Sequence, residues 1–374
     1  MGRSVYLDSA ATTLQKPKTV SRAMLHAVRT LASPGRGGHV AARRADAEAF
    51  MCRIAASRLL GVSDPSNIVF TASATHGLNI AIRALVGEGS RVVVSGFEHN
   101  SVTRPLKAVG ADVSFARGAL FDPESALFAI ESRLDDADCV VVNHVSNVFG
   151  YILPLTRIAA ACRDANVPLI VDASQSAGAL PLDFDALGAD FMAMAGHKGL
   201  YGPQGTGLLL CRAPTTGIIQ GGTGSNSKLD TMPDFLPDAL EAGTHNMPGI
   251  AGLRAGLEYV RARGTRSILS HERALITLAA QGLAVIPRVR VYAAPNSEHQ
   301  AGVLSFTVDG MDVEYVGERL DGAGFAVRAG LHCAPEAHRT ADTLESGTVR
   351  LSVSAFNTER EIRRFVKAVR KIAN

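Results

Sequence analysis

Short, unbroken apolar runs punctuate the chain between about residues 65 and 215. They are Arg91-Val92-Val93-Val94, Asp138-Cys139-Val140-Val141-Val142, Pro168-Leu169-Ile170-Val171, Phe191-Met192-Ala193-Met194 and Thr206-Gly207-Leu208-Leu209-Leu210. Alanine-rich stretches of helical periodicity separate them, a pattern that predicts βαβ units and a mainly parallel sheet. Because the runs are continuous and do not alternate with polar residues, each strand is expected to be covered on both faces. Polar residues close the runs: Ser95 to His99, Asn143 to Asn147, Asp172 to Gln175, and Gly196-His197-Lys198. In an open α/β sheet the ligand crevice lies beyond the carboxyl ends of the strands, so these clusters are predicted to converge on one site.

Gln220 to Gly249, rich in Gly, Pro, Ser, Asn and Asp, interrupts the pattern and reads as a long functional loop. Helical periodicity resumes at Ile250 and runs towards Gly264. Val303–Val308 and Thr348–Val353 then alternate like strands, and Glu359–Ile372 reads as a closing amphipathic helix. The predicted organisation is an N-terminal segment (1–20) packing on a small domain, a large domain (21–264), and a small α+β domain (265–374) carrying Cys333 and Arg350. The 374 residues are 47% hydrophobic and 20% charged, and 38 Lys and Arg against 35 Asp and Glu give +3. That balance argues against nucleic acid or an anionic membrane as partner and for a small substrate. Five cysteines (52, 139, 162, 211, 333) form no CxxC pair and no metal-ligand spacing, and no run approaches the ~20 apolar residues of a membrane span. A cytoplasmic protein without disulfides or a bound metal is expected.

Several residues invite chemistry, each beside a blander reading. Lys198, directly after an apolar strand, points into the predicted crevice, where apolar and cationic neighbours would favour a neutral amine able to form an imine with a carbonyl; strand-end lysines are more often solvated. Asp172 ends the preceding strand and needs a partner, either a protonated pyridine nitrogen or the start of the next helix. Ser73-Ala74-Thr75-His76-Gly77 lies between a strand-like run and a helix and suits a single phosphate, with an ordinary N-cap role for Thr75 as the alternative. His99 is placed to stack on a flat ring or shuttle a proton; most lone histidines do neither. Cys333, in Arg328-Ala329-Gly330-Leu331-His332-Cys333, has cationic neighbours that favour a thiolate; with His332 and His338 it forms only a loose metal pattern. Arg350 is either a bidentate clamp for a substrate carboxylate or a structural ion pair.

Taken in order, these pieces resemble the class V aminotransferase branch of the fold-type I pyridoxal phosphate enzymes, most closely the cysteine desulfurases and selenocysteine lyases. The likeness runs from Tyr6-Leu7-Asp8-Ser9-Ala10-Ala11-Thr12-Thr13 through Glu98-His99-Asn100, His144-Val145-Ser146-Asn147, Val171-Asp172-Ala173-Ser174-Gln175 and Gly196-His197-Lys198. It continues in Tyr201-Gly202-Pro203-Gln204-Gly205, Glu241-Ala242-Gly243-Thr244, the Arg328 to Ala334 segment, and Arg350 with Phe356-Asn357-Thr358. The resemblance implies a large domain with a mainly parallel seven-stranded sheet and a smaller α+β domain. It implies pyridoxal 5'-phosphate held as an imine by Lys198, with Asp172 on the ring nitrogen, Gln175 on the ring hydroxyl and His99 stacked on the ring. Ala74, Thr75 and His197 match the phosphate site, and Thr244 matches a residue reaching the phosphate from a neighbouring subunit. Asn147 and Arg350 match substrate-orienting residues, and Cys333 matches the thiol that accepts sulfur. Ala195, His76 and Ala329 depart from the family pattern of Ser or Thr, Glu, and Thr; the phosphate contact that Ala195 lacks is either lost or supplied by Ser225.

The implied activity is conversion of L-cysteine to L-alanine by a homodimer, with Lys198 as proton shuttle and a Cys333 persulfide passed to a sulfur-acceptor protein. Selenocysteine lyase, acting on L-selenocysteine, shares every residue named. An aminotransferase or β-lyase in which Cys333 is incidental is a further alternative, and a catalytically inactive cofactor-binding scaffold or regulator is the alternative outside enzymes.

Overall fold

A computed structural model describes residues 4–35 and 37–374. Its larger sheet has seven strands in the order Ile68–Thr71, Gly207–Cys211, Phe191–Ala195, Leu169–Asp172, Cys139–Asn143, Arg91–Ser95, Asp112–Ala116. All neighbours are parallel except Gly207–Cys211, which runs against both of its partners. The apolar runs of the sequence become the inner strands: Val140, Val141, Val142, Ile170 and Val171 are fully buried. The edge strand Asp112–Ala116 escapes a reading based on continuous runs, because its residues alternate in exposure. Helices pack on both faces, with Leu78 and Ile82 in one core and Ile158 and Phe184 in another.

The loop expected from Gln220 ends sooner than expected. Met247–Arg263 is helical, with the Asn246 side chain accepting the Gly249 N–H at its start. Pro248 stands in the first turn, where its missing N–H costs nothing, so it opens the helix. Gly264 separates this helix from the next, Thr265–Ala284, through a backbone φ of +82°, a conformation that favours glycine.

A second sheet is antiparallel, in the order Arg328–Gly330, Thr348–Ser352, Val303–Val308, Val289–Tyr292. Helices Thr265–Ala284, Val313–Gly322 and Glu359–Ala373 cover it around Phe306, Leu320, Leu351 and Phe365. Thr358 and Glu361 form a reciprocal capping box that starts the last helix. Near the N-terminus, Val5–Tyr6 pairs in parallel with Phe325–Ala326, and the Leu7 carbonyl accepts the Ser352 N–H at 2.7 Å. This brings the N-terminal segment onto the second sheet; residues 1–3 of the segment expected there lie outside the described residues. The segment's far end is already helical, since Lys18–Thr30 forms the first helix. No described helix is long and apolar enough to cross a membrane.

Candidate active site

The carboxyl ends of strands Arg91–Ser95, Cys139–Asn143, Leu169–Asp172 and Phe191–Ala195 open into one cleft of about 500 Å³, open solvent included. Eight of the residues singled out in the sequence line it: Ala74, Thr75, His99, Asn147, Asp172, Gln175, His197 and Lys198. Thr244, Cys333 and Arg350 do not.

Asp172 is the last residue of its strand and is 6% exposed. One oxygen accepts the Ser174 N–H at 2.9 Å, and the other accepts nothing from the described residues. No helix follows it, so the helix-capping reading fails: the carboxylate holds a turn and keeps one oxygen for a ligand. Lys198 follows the adjacent strand. Burial lowers its amine from the ordinary lysine range to about 8; Asp172 opposes that shift, whereas Arg350 and Arg328 reinforce it. A substantial neutral fraction at physiological pH makes this amine a nucleophile and a proton carrier.

Ser73, not Thr75, caps helix Ala74–Leu85, its hydroxyl accepting the His76 N–H at 3.2 Å. Thr75 therefore sits in the first turn with its hydroxyl uncommitted, beside the Ala74 and Thr75 N–H groups, which no cap takes up. Such a helix start attracts an anion. Ala195 lines the cleft, and Ser225 lies outside the cleft of its own chain. The Ser225 hydroxyl donates to Asp238 and bonds Thr223, away from the cleft of its own chain. Thr244 faces a separate pocket with Phe70, His76 and Glu241.

His99 caps helix Asn100–Ala108, its Nδ1 accepting the Ser101 N–H at 3.0 Å and bonding the Ser101 hydroxyl at 2.8 Å. Burial, aided by Lys198, pushes it down to about 4, so the ring is neutral with its proton on Nε2. His197 is likewise pushed down to about 4 by burial, with Lys198 and Lys16 adding to the effect, and its Nδ1 bonds the Thr12 hydroxyl at 3.0 Å. The Gln175 amide donates to the Ala10 carbonyl at 3.0 Å.

Arg350 is 1% exposed. It donates to the Asn147 carbonyl at 2.9 Å and pairs with Asp8 at 2.7 Å, so of its two sequence readings the ion pair is the one formed here. The Asn147 side-chain amide donates to the His332 backbone carbonyl at 2.8 Å, and its side-chain oxygen Oδ1 is buried without a partner among the described residues. That chain ties the cleft to the cysteine segment. Cys333 is exposed, whereas Cys52, Cys139, Cys162 and Cys211 are buried. Burial pushes the Cys162 thiol up to about 12 and the other three higher still. His332 and Cys333 adopt left-handed φ of +52° and +59°. The Cys333 carbonyl accepts the Asn100 N–H at 2.7 Å, fastening the cysteine turn to the residue after His99.

Two participants were not assigned from sequence; Arg328 was read there as a cationic neighbour of Cys333, but Asp8 appeared only inside a motif. Lys16, which donates to the His197 carbonyl at 2.8 Å, carries no local signal at all.

The family model described as Aminotransferase class-V matches residues 5–365. A probable cysteine desulfurase of Methanothermobacter thermautotrophicus is 34% identical over 387 residues, covering 99% of this chain and 94% of that protein. A cysteine desulfurase of Klebsiella pneumoniae strain 342 is 31% identical over 388 residues, covering 98% and 93%. Among solved structures, the apo cysteine desulfurase of Thermococcus onnurineus superposes with a TM-score of 0.91 at 30% identity, covering 99% of this chain and 94% of that one. A cysteine desulfurase of Escherichia coli in an S-sulfonic acid form gives 0.86 at 28%, covering 98% and 94%. With a family match spanning nearly its whole length, the chain belongs to the class-V aminotransferase family.

Proposed function

We propose that this chain is a cysteine desulfurase that uses pyridoxal phosphate to convert L-cysteine to L-alanine, with Lys198, Asp172 and Cys333 carrying the chemistry. The observation that carries this reading is one cleft lined by a lysine of lowered proton affinity and a buried carboxylate with a free oxygen, with an exposed thiol on a turn bonded to the cleft wall. These residues fit the cofactor. Lys198 would hold its aldehyde carbon, Asp172 its protonated ring nitrogen, Gln175 its ring hydroxyl, and the first turn of helix Ala74–Leu85 its phosphate, with His197 beside it. When bound, the group supplies an electron sink for a carbanion next to the substrate carboxylate.

The chain's own residues supply the rest. The Lys198 amine takes the α-proton of the substrate and returns a proton to carbon. His99, neutral and fixed by its cap bonds, offers a flat face and an Nε2–H to the cleft. Asn147 and Arg350 orient the substrate carboxylate. The Cys333 sulfur takes the substrate sulfur as its bond to carbon breaks, leaving alanine and a Cys333 persulfide for an acceptor protein. We further propose a homodimer in which Thr244 serves the neighbouring subunit's site, a cytosolic setting, and division of the chain at residues 20 and 264.

The test is the visible spectrum of the purified protein supplied with pyridoxal phosphate, followed by L-cysteine with product analysis. Expected are a bound chromophore, an adduct at position 198 after borohydride, and equal amounts of alanine and transferred sulfur. α-Keto acid without alanine would overturn the desulfurase reading, and a parallel assay with L-selenocysteine ranks the two substrates.

A further inference from the structure

The backbone carbonyl of His197, the residue before Lys198, is met by several donors from the N-terminal segment. The Thr13 N–H reaches it at 3.1 Å, the Lys16 ammonium at 2.8 Å, and the Thr13 and Thr12 hydroxyls at 3.0 and 3.3 Å. The Thr13 hydroxyl also stands 3.2 Å from the Lys198 carbonyl. Because Lys16 donates to its oxygen at 2.5 Å, the one proton of that hydroxyl is left for either carbonyl. Lys16 is half-buried, and no carboxylate among the described residues pairs with it. Burial lowers its amine to about 8. Keeping an ammonium there costs free energy that its charge-assisted bonds to a hydroxyl and a backbone carbonyl offset. The other end of the segment is tied to the second sheet and to the cleft wall. Asp8 pairs with Arg350 at 2.7 Å, the Ala10 N–H donates to the Ser352 hydroxyl at 2.9 Å, and the Gln175 amide donates to the Ala10 carbonyl at 3.0 Å. Helix Lys18–Thr30 begins two residues after Lys16, so the segment is anchored on both sides.

We propose that residues 8–16 form a strap in which Thr13 and Lys16 are positioning residues for Lys198, setting through the His197 and Lys198 carbonyls where that amine stands in the cleft. The inference rests on the reading of Lys198 as the cofactor-binding amine. Neither Thr13 nor Lys16 lines the cleft, so each acts through Lys198 and is not a catalytic residue. Within its own turn the Lys198 carbonyl accepts the Tyr201 N–H at 2.9 Å, and the Gly196 carbonyl accepts the Gly202 N–H at 2.8 Å. The strap adds a hold from outside that turn. A displacement of about 1 Å at a reacting group can cost on the order of a hundredfold in rate, so a loosened hold is measurable.

The test uses full-length protein as wild type, Thr13→Val, Thr13→Ser, Lys16→Met and Lys16→Arg. One readout is the rate at which cofactor-free protein captures pyridoxal phosphate. The other, after loading, is the visible circular dichroism per bound chromophore, which an achiral ring acquires only when held in one fixed asymmetric setting. Thr13→Val and Lys16→Met are expected to slow capture by roughly tenfold and to lower the ellipticity per chromophore, while Thr13→Ser and Lys16→Arg keep most of both. Thr13→Val leaves every charge in place, so its slowing reports position and not attraction of the phosphate anion. If the valine variant fails to fold, Thr13→Ala takes its place. A folded Thr13→Val or Thr13→Ala that matches the wild type in either readout would overturn the proposal, even with Lys16→Met slowed. So would a loss in Thr13→Ser equal to that in Thr13→Val. Failure of the Lys198 reading shows separately, as no borohydride-trapped adduct at position 198 of the wild type.

Discussion

The Arg328 guanidinium stands 3.8 Å from the Cys333 sulfur, at the start of the strand that leads into the cysteine turn. A cation at that distance attracts the negative charge that a reacting sulfur carries. Both groups meet solvent, which limits the effect to a few-fold change. Cys333 is the only exposed cysteine, so iodoacetamide labels it selectively. Arg328→Gln is expected to slow that alkylation at pH 7 by roughly three- to tenfold. Arg328→Lys keeps part of the rate. Equal rates in all three proteins would remove Arg328 from the account. Cys333→Ser is expected to leave the cofactor spectrum intact while sulfur release from cysteine is lost.

Asp8 and Arg350 form the most enclosed charge pair near the cleft, with side chains 20% and 1% exposed. Taking away the acid strands a buried guanidinium whose Nε is already without a partner among the described residues. Asp8→Asn is therefore expected to destabilise the protein by about 3 kcal/mol in urea denaturation. Asp8→Asn combined with Arg350→Met is expected to cost clearly less than the sum of the two single changes, because the stranded charge is gone. Strict additivity would show the pair to be energetically idle.

The two pairs also mark where the sequence stops being readable. Each central strand could be read because burial on both faces forces a continuous apolar run, and Lys198, Asp172 and His99 could be placed because strand ends in this topology open on one crevice. Asp112–Ala116 could not, since an edge strand has one wet face and its apolar residues alternate. Asp8 with Arg350, and Lys16 with the His197 carbonyl, join residues 342 and 181 positions apart, and no local pattern encodes such a meeting. Ser73 as the cap in place of Thr75 is a shift of two residues, the usual uncertainty at a helix start. The start of helix Met247–Arg263 did carry a signal, Asn246 followed by Pro248, hidden among the loop residues around it.

Lys198 sets a pH dependence that needs no turnover. Its amine, lowered to about 8, is roughly one-tenth neutral at pH 7 and nine-tenths neutral at pH 9. Only the neutral form attacks an aldehyde. Capture of pyridoxal phosphate by cofactor-free protein is expected to accelerate about tenfold between pH 7 and pH 9 and then level off, followed by the growth of the visible band. A rate still climbing steeply above pH 10 would mean an ordinary solvated lysine. The stability sign runs the other way from a normal ion pair. Because folding lowers this pKa, the buried ammonium destabilises the native state below pH 8, and that penalty is relieved as pH rises from about 8 to the unfolded value near 10.4.

His99 does two jobs that substitution can separate. Its Nδ1 caps helix Asn100–Ala108, and its ring faces the cleft. Asparagine caps as well as any residue, whereas alanine does not. His99→Asn is expected to keep stability within about 0.5 kcal/mol, and His99→Ala to lose about 1 kcal/mol. Both lose the flat ring, so both are expected to bind pyridoxal phosphate more weakly to a similar degree by absorbance titration. Weaker binding in the alanine variant alone would reduce the histidine to a structural cap.

Glu98 gives a pH-dependent stability of definite sign. It is fully buried; one oxygen accepts from the Ser95 hydroxyl and the Asn143 N–H, and the other has no partner among the described residues. Burial raises its carboxyl to about 8, with Asp172 adding to the shift, so the folded protein holds this proton at neutral pH. Unfolding releases it at any pH between about 4.5 and 8, so the contribution is complete below 4.5 and disappears as pH rises through 8. Glu272 shares this sign, so the informative quantity is the difference between wild type and Glu98→Gln. The glutamine oxygen keeps both hydrogen bonds and carries no proton to release. The variant is expected to gain on the wild type from pH 5 to pH 8 by on the order of a few kcal/mol in denaturant midpoints read at each pH. A difference that stays flat over that range would mean Glu98 is already ionised in the native state, and the neutral-acid account of the Glu98–Asp172 neighbourhood would fall.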